Sequence, residues 1–447
     1  MKKRTIALIV SMLVSVSAAA GCSSDSGKEN KAVKDTVYQS DGSKYYVSGA
    51  AVYNISDPDK PVYLSYNDRD NADSNLPCFF RMNKCHMAQN GSEITGPYLD
   101  NHKIYKWNIG SDNTVSGSVL YEADSWSEAI KEKLKKYTSY TDDNYKILSA
   151  EMMIHGFDST DAGDGYVYFR YCSQPEYFNQ YMPTNYVLCR YDKNGGGLEF
   201  IGNDNGVASF DYKDGYIYFA DNGFKAVSEY EYTVDKDRVG IYSMKADGTD
   251  VKKLVSVKPE SDEDKNDQTR ILKNVVGRVE VIGDDLYYIA EDKTGETYLY
   301  SIPVNGGTPE QVTEKPCADY YADTSSGTLF YQNGTLNISR ADGCTVYSKP
   351  MDGGEETALY IKLNAPTYGY WASVEGDYLY ITNYNMFVGY NTEESDLISG
   401  QRFNLKTKEM EKLICTAKPG AKTVSDIDVK WVKDEKEAGA DGLKSYL

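Results

Sequence analysis

The hydrophobic positions of this chain fall into short apolar runs separated by small polar turns. "DGYVYF" (164–169) is followed by "DGYIYF" (214–219), "DDLYYI" (284–289), "SGTLFY" (326–331) and "GDYLYI" (376–381). In each, a tight turn leads into Tyr, Ile, Val and Phe with both faces apolar, the pattern of a strand covered on both sides. The flanks recur as well. A short strand precedes the phrase, as in "ASFDY" (208–212), "GRVEVI" (277–282) and "YWASV" (370–374). A third strand follows, as in "VGIYSMKA" (239–246), "TYLYSIPV" (297–304) and "TVYSKPM" (345–351). Then comes a Gly turn, "DGT", "NGG" or "DGG", and a fourth strand, "VKKLVS" (251–256), "EQVTE" (310–314) or "ETALYI" (356–361). Asp-Gly and Asn-Gly between apolar runs mark hairpins.

The unit is therefore four antiparallel strands, repeated. Residues 41–66 and 100–121 read as two weaker copies, giving about seven. Repeated four-stranded sheets that cannot bury both faces alone predict an all-β fold, a β-propeller of about seven antiparallel blades. "VSDIDVKW" (424–431) reads as a first strand without followers, expected to close the ring by joining the first blade. One helical insert is predicted at "SWSEAIKEKLKKYTSY" (125–140). Ser125 and Glu128 form a capping box there, and Trp126, Ile130, Leu134 and Tyr137 make an apolar stripe.

"YFAD" (218–221) followed by "IYSMKADGTDVKKL" (241–254) resembles the blade of low-density-lipoprotein-receptor YWTD propellers, with Phe219 for Trp and Ala220 for Thr. The repeats are also similar to TolB-like propellers and to receptor-like propeller domains of bacterial lipoproteins. The resemblance covers residues 164–415 well and implies the fold; propellers host too many activities for it to imply one.

The ends of the chain change the picture of where it works. "MKKR" followed by "TIALIVSMLVSVSAAA" is a basic n-region and an apolar h-region, a secretory signal over residues 1–21. "AAGC" (19–22) resembles a bacterial lipobox, with Ala19 where Leu is usual. That resemblance implies cleavage before Cys22 and a diacylglycerol on its sulfur. Residues 22–35 then form a polar tether, 36–433 the propeller and 434–447 a tail. The expected location is extracytoplasmic, held to a membrane by lipid alone.

Charge and chemistry narrow the function. With 67 acidic against 48 basic residues, the net charge is −19, spread along the chain, which disfavours nucleic acid. None of the three His, His86, His102 and His155, sits in a metal or catalytic motif, and no nucleophile elbow or phosphate loop occurs. The acidic "SDEDKNDQTRIL" (261–272) lacks the Gly and terminal Glu of a calcium loop. No cofactor or metal is expected. Besides Cys22, seven cysteines remain. Cys172 with Cys189, and Cys78 with Cys85, are candidate disulfides in an exported chain, with buried thiols as the alternative.

The long inserts are the remaining clue. Residues 173–185, 222–238 and 384–399 join second to third strands, and 122–155 and 257–275 join successive units. An antiparallel unit sends all five out of one face, the face where repeat proteins commonly bind. They carry Tyr177, Phe178, Tyr181, Phe224, Tyr230, Tyr232, Tyr384, Phe387 and Tyr390. Rings beside carboxylates suit glycan, peptide or protein ligands. The expectation is a monomeric binding module rather than an enzyme. The alternatives are a glycan-active hydrolase or lyase with carboxylates at the channel mouth, and a structural part of an envelope complex.

Overall fold

The computed structural model describes residues 32–33, 37–40, 43–48, 51–64, 87–90, 93–98, 103–109, 115–122, 159–161, 163–173, 185–194, 197–201, 207–228, 231–258, 275–335, 338–339, 346–359, 361, 371–382, 396–417 and 427–433. The helical insert (125–140), the signal segment and the tail lie outside them.

The Tyr-rich phrases are second strands. Tyr216–Asp221 buries five residues in succession after its exposed first, and so does Asp285–Glu291, which ends on a half-buried Glu291. A strand buried at odd and even positions alike needs a layer on each side. Its neighbours supply them. Val207–Lys213, Tyr216–Asp221, Gly240–Lys245 and Lys252–Ser256 form one antiparallel sheet in chain order. Val276–Ile282, Asp285–Glu291, Thr297–Pro303 and Glu310–Gln311 form the next. Fourth strands such as Lys252–Ser256 and Glu310–Gln311 are largely exposed, as outer edges should be.

Among the described residues there are seven sheets of four or five strands. In chain order they start at Val37 (sheet 1), Met87 (2), Ser159 (3), Val207 (4), Val276 (5), Cys317 (6) and Trp371 (7). Contacts run from sheet 2 through sheet 7 and return to sheet 1. The first strands of sheets 2 and 3, 4 and 5, 6 and 7, and 7 and 1 touch, so first strands gather round one axis. This is a β-propeller. The weak second unit begins earlier than its sequence pattern suggested, with Met87–Asn90 and Glu93–Tyr98 ahead of Lys103–Ile109.

One expectation is corrected. Ile427–Lys433 does not join the first sheet. It pairs with Met410–Ala417 as a fifth, outer strand of sheet 7. Pairing across a short connection has the lower loop-closure cost. Its Trp431 nevertheless reaches the first sheet, with its ring 6.0 Å from that of Tyr46. Tyr46 closes this junction. Its hydroxyl donates to Ile381 O at 2.5 Å and accepts from Gln401 N at 3.1 Å. A Cβ at Gly400 would stand 2.5 Å from that hydroxyl, so the ring fits only over glycine.

A second latch recurs in two sheets. Arg402 Nε is 2.5 Å from Glu411 Oε2, and Nη1 donates to Pro58 O of sheet 1 at 2.6 Å. Its guanidinium lies 3.9 Å from the Tyr378 ring centre and 4.4 Å from that of Trp431. Arg190 repeats this in sheet 3, with Nε to Glu199 at 2.7 Å, Nη1 to Ala246 O of sheet 4 at 3.0 Å, and Tyr166 at 4.2 Å. Each Arg reaches forward to the third-to-fourth strand turn of the following sheet.

Neighbouring sheets run in the same sense. The first-to-second turns of sheets 4 and 5 meet, Lys213 Nζ donating to Gly283 O, and those of sheets 1 and 7 meet through Lys44 and Glu375. At the other end, Thr297 Oγ1 of sheet 5 donates to Cys317 O of sheet 6 at 2.9 Å. The strand ends that flank 222–238 and 257–275 therefore lie on one face, here the insert face. The opposite, turn face is tight: Asp214 (φ 50°) and Gly215 (φ 81°) make the left-handed pair that a two-residue hairpin needs.

Buried tyrosines give the fold a pH limit. Burial pushes the phenols of Tyr168, Tyr288, Tyr320 and Tyr331 well up, and that of Tyr242 up to about 12. Their raised values mean that the unfolded chain loses these protons first. The contribution is fully present below pH about 10 and is lost as pH rises through the folded values. In a titration of absorbance at 295 nm, a block of the 41 tyrosines should ionise only together with loss of the β circular-dichroism signal. Smooth titration of all of them in a folded protein would contradict this.

Candidate functional site

The insert between the second and third strands of sheet 4 is built from its root outward. Tyr216–Asp221 ends in "DNG", and each of those three residues has a separate task. Asp221, 6% exposed, accepts from Gly223 N at 2.7 Å and from Arg238 Nη2 at 2.9 Å. Arg238 thereby ties the return of the insert to its exit. Burial pushes the Asp221 carboxyl up, against the downward pull of Arg238 and the Gly223 amide. Gly223 has φ +68°, and a Cβ there would meet Asp235 O at 2.3 Å. Asn222, 1% exposed, turns the other way. It accepts from Val275 N at 2.7 Å and Val276 N at 3.0 Å, and donates to Val276 O at 3.0 Å.

On this root stands a hairpin of its own, Phe224–Ser228 paired with Glu231–Val234. Two of the predicted aromatics, Phe224 and Tyr232, lie on it, opposite Val234 and Ala226 respectively. Tyr230, and with it Tyr177, Phe178, Tyr181, Tyr384, Phe387 and Tyr390, lie outside the described residues, as do Cys22, Cys78 and Cys85. The site the sequence proposed is thus described at its foundations and at one of its loops.

The Cys172–Cys189 disulfide is a correction. Cys172 lies opposite Tyr186, and Cys189 opposite Phe169. Three ladder steps, about 10 Å, exceed the reach of a disulfide. Cys189 is instead buried in the sheet, the bland alternative the sequence allowed.

A second group of polar side chains lines the first strands near the axis. Those of sheets 4, 5 and 6 each carry a register shift near the insert face, between Val207 and Ser209, Gly277 and Glu280, and Cys317 and Asp319. Bulges re-aim side chains, and Arg278 adopts φ 46° in the middle one. Arg278 Nη2 donates to Tyr320 O at 3.0 Å, and its Nε lies 3.3 Å from Asp319 Oδ1. Tyr320 returns the contact, its hydroxyl donating to Arg278 O at 3.2 Å. Asp211 Oδ2 accepts from Val281 N at 2.8 Å, and Ser209 Oγ accepts from Val279 N at 3.0 Å. Glu280 Oε2 is buried with no hydrogen-bond partner among the described residues.

These acids share a wall, and Glu280, Asp211 and Asp319 all add to the upward push that burial gives the Tyr320 phenol. Two of the three are already committed. Asp211 and Asp319 hold the neighbouring sheet, Asp211 through Val281 N and Asp319 through Arg278. Among the described residues no group of three or more His, Cys, Asp or Glu could hold a metal ion. Sequence reading missed Asn222, Arg238, Arg278 and Asp319. The "DNG" that ends a buried strand was the available sign for the first; the others sit where only the register reveals them.

No family model matches the chain, and neither does any curated protein. Among solved structures it is similar to an oligogalacturonate lyase from Vibrio parahaemolyticus, at 12% identity and a TM-score of 0.46, over 80% of this chain and 87% of that one. It is similar also to AztD from Citrobacter koseri, at 9% identity and a TM-score of 0.39, over 84% of each. A puromycin-hydrolysing peptidase from Mycobacterium tuberculosis matches at 9% and 0.45, over 85% of this chain but 52% of its own length. This chain therefore spans about half of that peptidase.

Proposed function

We propose that the chain is an exported, lipid-anchored propeller that binds a glycan, peptide or protein through its insert face. The observation that carries this reading is the root of the 222–238 insert. Asp221, Asn222, Gly223 and Arg238 fix the base of a hairpin that adds nothing to the sheet it leaves. An isolated two-stranded hairpin is marginal in water. Holding one rigidly at its base suits presentation, since a preorganised loop loses less entropy on binding. Phe224 and Tyr232 lie on that hairpin.

The test replaces 224–234 with a short Gly turn and leaves the root intact. Binding to a panel of soluble oligosaccharides and extended peptides should fall about tenfold or more, on the scale of losing one anchor side chain, while the unfolding transition stays in place. Unaltered binding removes this hairpin from the site. A second reading, a glycan-active hydrolase or lyase, draws support from Glu280, whose buried carboxylate oxygen lacks a hydrogen-bond partner among the described residues. Turnover of an oligosaccharide that is abolished by Glu280→Gln would favour it.

A further inference from the structure

The ring closes at the one place the chain does not cross. In the order of the described strands, the chain passes from each sheet to the next, from sheet 1 to sheet 7. Among those strands, only the junction of sheet 7 with sheet 1 lacks a covalent crossing. No strand bridges it either. Ile427–Lys433, toward one end of the chain, stays in sheet 7, and Ala32–Val33, toward the other, pairs with Met87–Asn90 of sheet 2. Among the described residues no backbone-to-backbone hydrogen bond joins sheet 7 to sheet 1.

Side chains make the closure. On the turn face Lys44 of sheet 1 meets Glu375 of sheet 7. From the third strand of sheet 7, Arg402 reaches Pro58 O and lies 3.8 Å from Asp59 Oδ1. Between these bonds Tyr46, Tyr53, Ile55 and Tyr63 of sheet 1 pack on Tyr380 and Leu413 of sheet 7. Tyr46 is the knob of that contact. Its ring centre lies 5.2 Å from that of Tyr380, and Gly400 floors its socket. A knob withdraws from a socket whole. Parting here breaks ring contacts and a few side-chain bonds, while both sheets keep their own strand pairing. Elsewhere parting would strain a connection, one as short as residues 312–316 between sheets 5 and 6.

We propose that the junction of sheets 7 and 1 is a gate: the two sheets part and re-engage as folded bodies, and the axis opens from the side. Sub-global openings of this kind need less free energy than unfolding, and packed interfaces switch between discrete arrangements rather than stretch. First strands surround the axis, so parted sheets uncover the polar wall where Ser209, Asp211, Arg278 and Asp319 lie. That gives an extended glycan or peptide a way in that does not thread the channel. The gate rests on the fold alone; what passes it rests on the binding reading above.

Hydrogen exchange on the full chain tests the gate. The Gln401 amide reports it, since it donates to the Tyr46 hydroxyl across the junction at 3.1 Å. The Val276 amide is the reference, since it donates to Asn222 Oδ1 at 3.0 Å across a junction that the chain crosses. Both residues are 0% exposed, so burial does not separate them. In the unaltered chain, and relative to intrinsic rates, Gln401 should exchange about tenfold or more faster than Val276. A variant with Lys44→Cys and Glu375→Cys is then joined, once folded, by a short bis-maleimide, or capped at each thiol with N-ethylmaleimide. The link should slow Gln401 about tenfold or more against the capped protein and leave Val276 unchanged. Equal exchange of the two amides in the unaltered chain, or exchange at Gln401 that the link does not slow, overturns the gate.

Discussion

Arg402→Met is expected to lower the stability of the fold by about 3–5 kcal/mol, the cost of removing one partner from a buried ion pair. Arg402 is 2% exposed and its partner Glu411 18%, so water screens neither well. The substitution removes the bond to Pro58 O and the two stacked rings, and it leaves Glu411 half-desolvated without its cation. The lost contacts join the last sheet to the first, so the ring should open at this junction before it melts elsewhere. Arg190→Met is the internal control. It repeats the geometry, but Glu199 is 48% exposed and solvent screening should hold the loss near 1 kcal/mol. Denaturant unfolding of both variants tests the contrast. Equal losses would mean that burial does not set the value of this latch.

Asn222→Ala is expected to destabilise by about 3–5 kcal/mol. The side chain satisfies three backbone groups of sheet 5, Val275 N, Val276 N and Val276 O, in a place 1% exposed. Alanine leaves all three buried and unpaired, and each such group costs about 1–3 kcal/mol. Hydrogen exchange at Val275 and Val276 should accelerate in the alanine variant well beyond the global change. A loss under about 1 kcal/mol would show that water replaces the amide, and the junction between sheets 4 and 5 would then rest on apolar packing alone.

The propeller was legible because its strands repeat a local pattern. Tyr216–Asp221 and Asp285–Glu291 are apolar on both faces, and that fact alone demands layers on each side. The Asp214-Gly215 turn announces its own backbone. What holds the sheets to one another was not legible. Arg190 with Glu199 and Arg402 with Glu411 share a spacing, yet each acts on a carbonyl in another sheet, which no local pattern encodes. The same holds for Arg278 and Tyr320, forty-two residues apart. The 424–431 pattern marks a strand, and Ile427–Lys433 is one, but strand pattern does not carry pairing, and its partner is Met410–Ala417 rather than the first sheet. Likewise, the candidate disulfide of Cys172 and Cys189 was argued from strand ends and undone by register. The aromatic inserts can be located by their connections, while Ala32–Val33 lies in a polar stretch and is placed only by its pairing with Met87–Asn90.

If ligand meets the insert face, hydrogen exchange of the full chain should respond to the tightest-binding oligosaccharide or peptide of the panel at the inserts. Exchange is expected to slow in the 222–238 and 257–275 inserts and to stay unchanged in the turns at 213–215, 283–285 and 305–307. Protection confined to those turns, with the inserts unchanged, would contradict it.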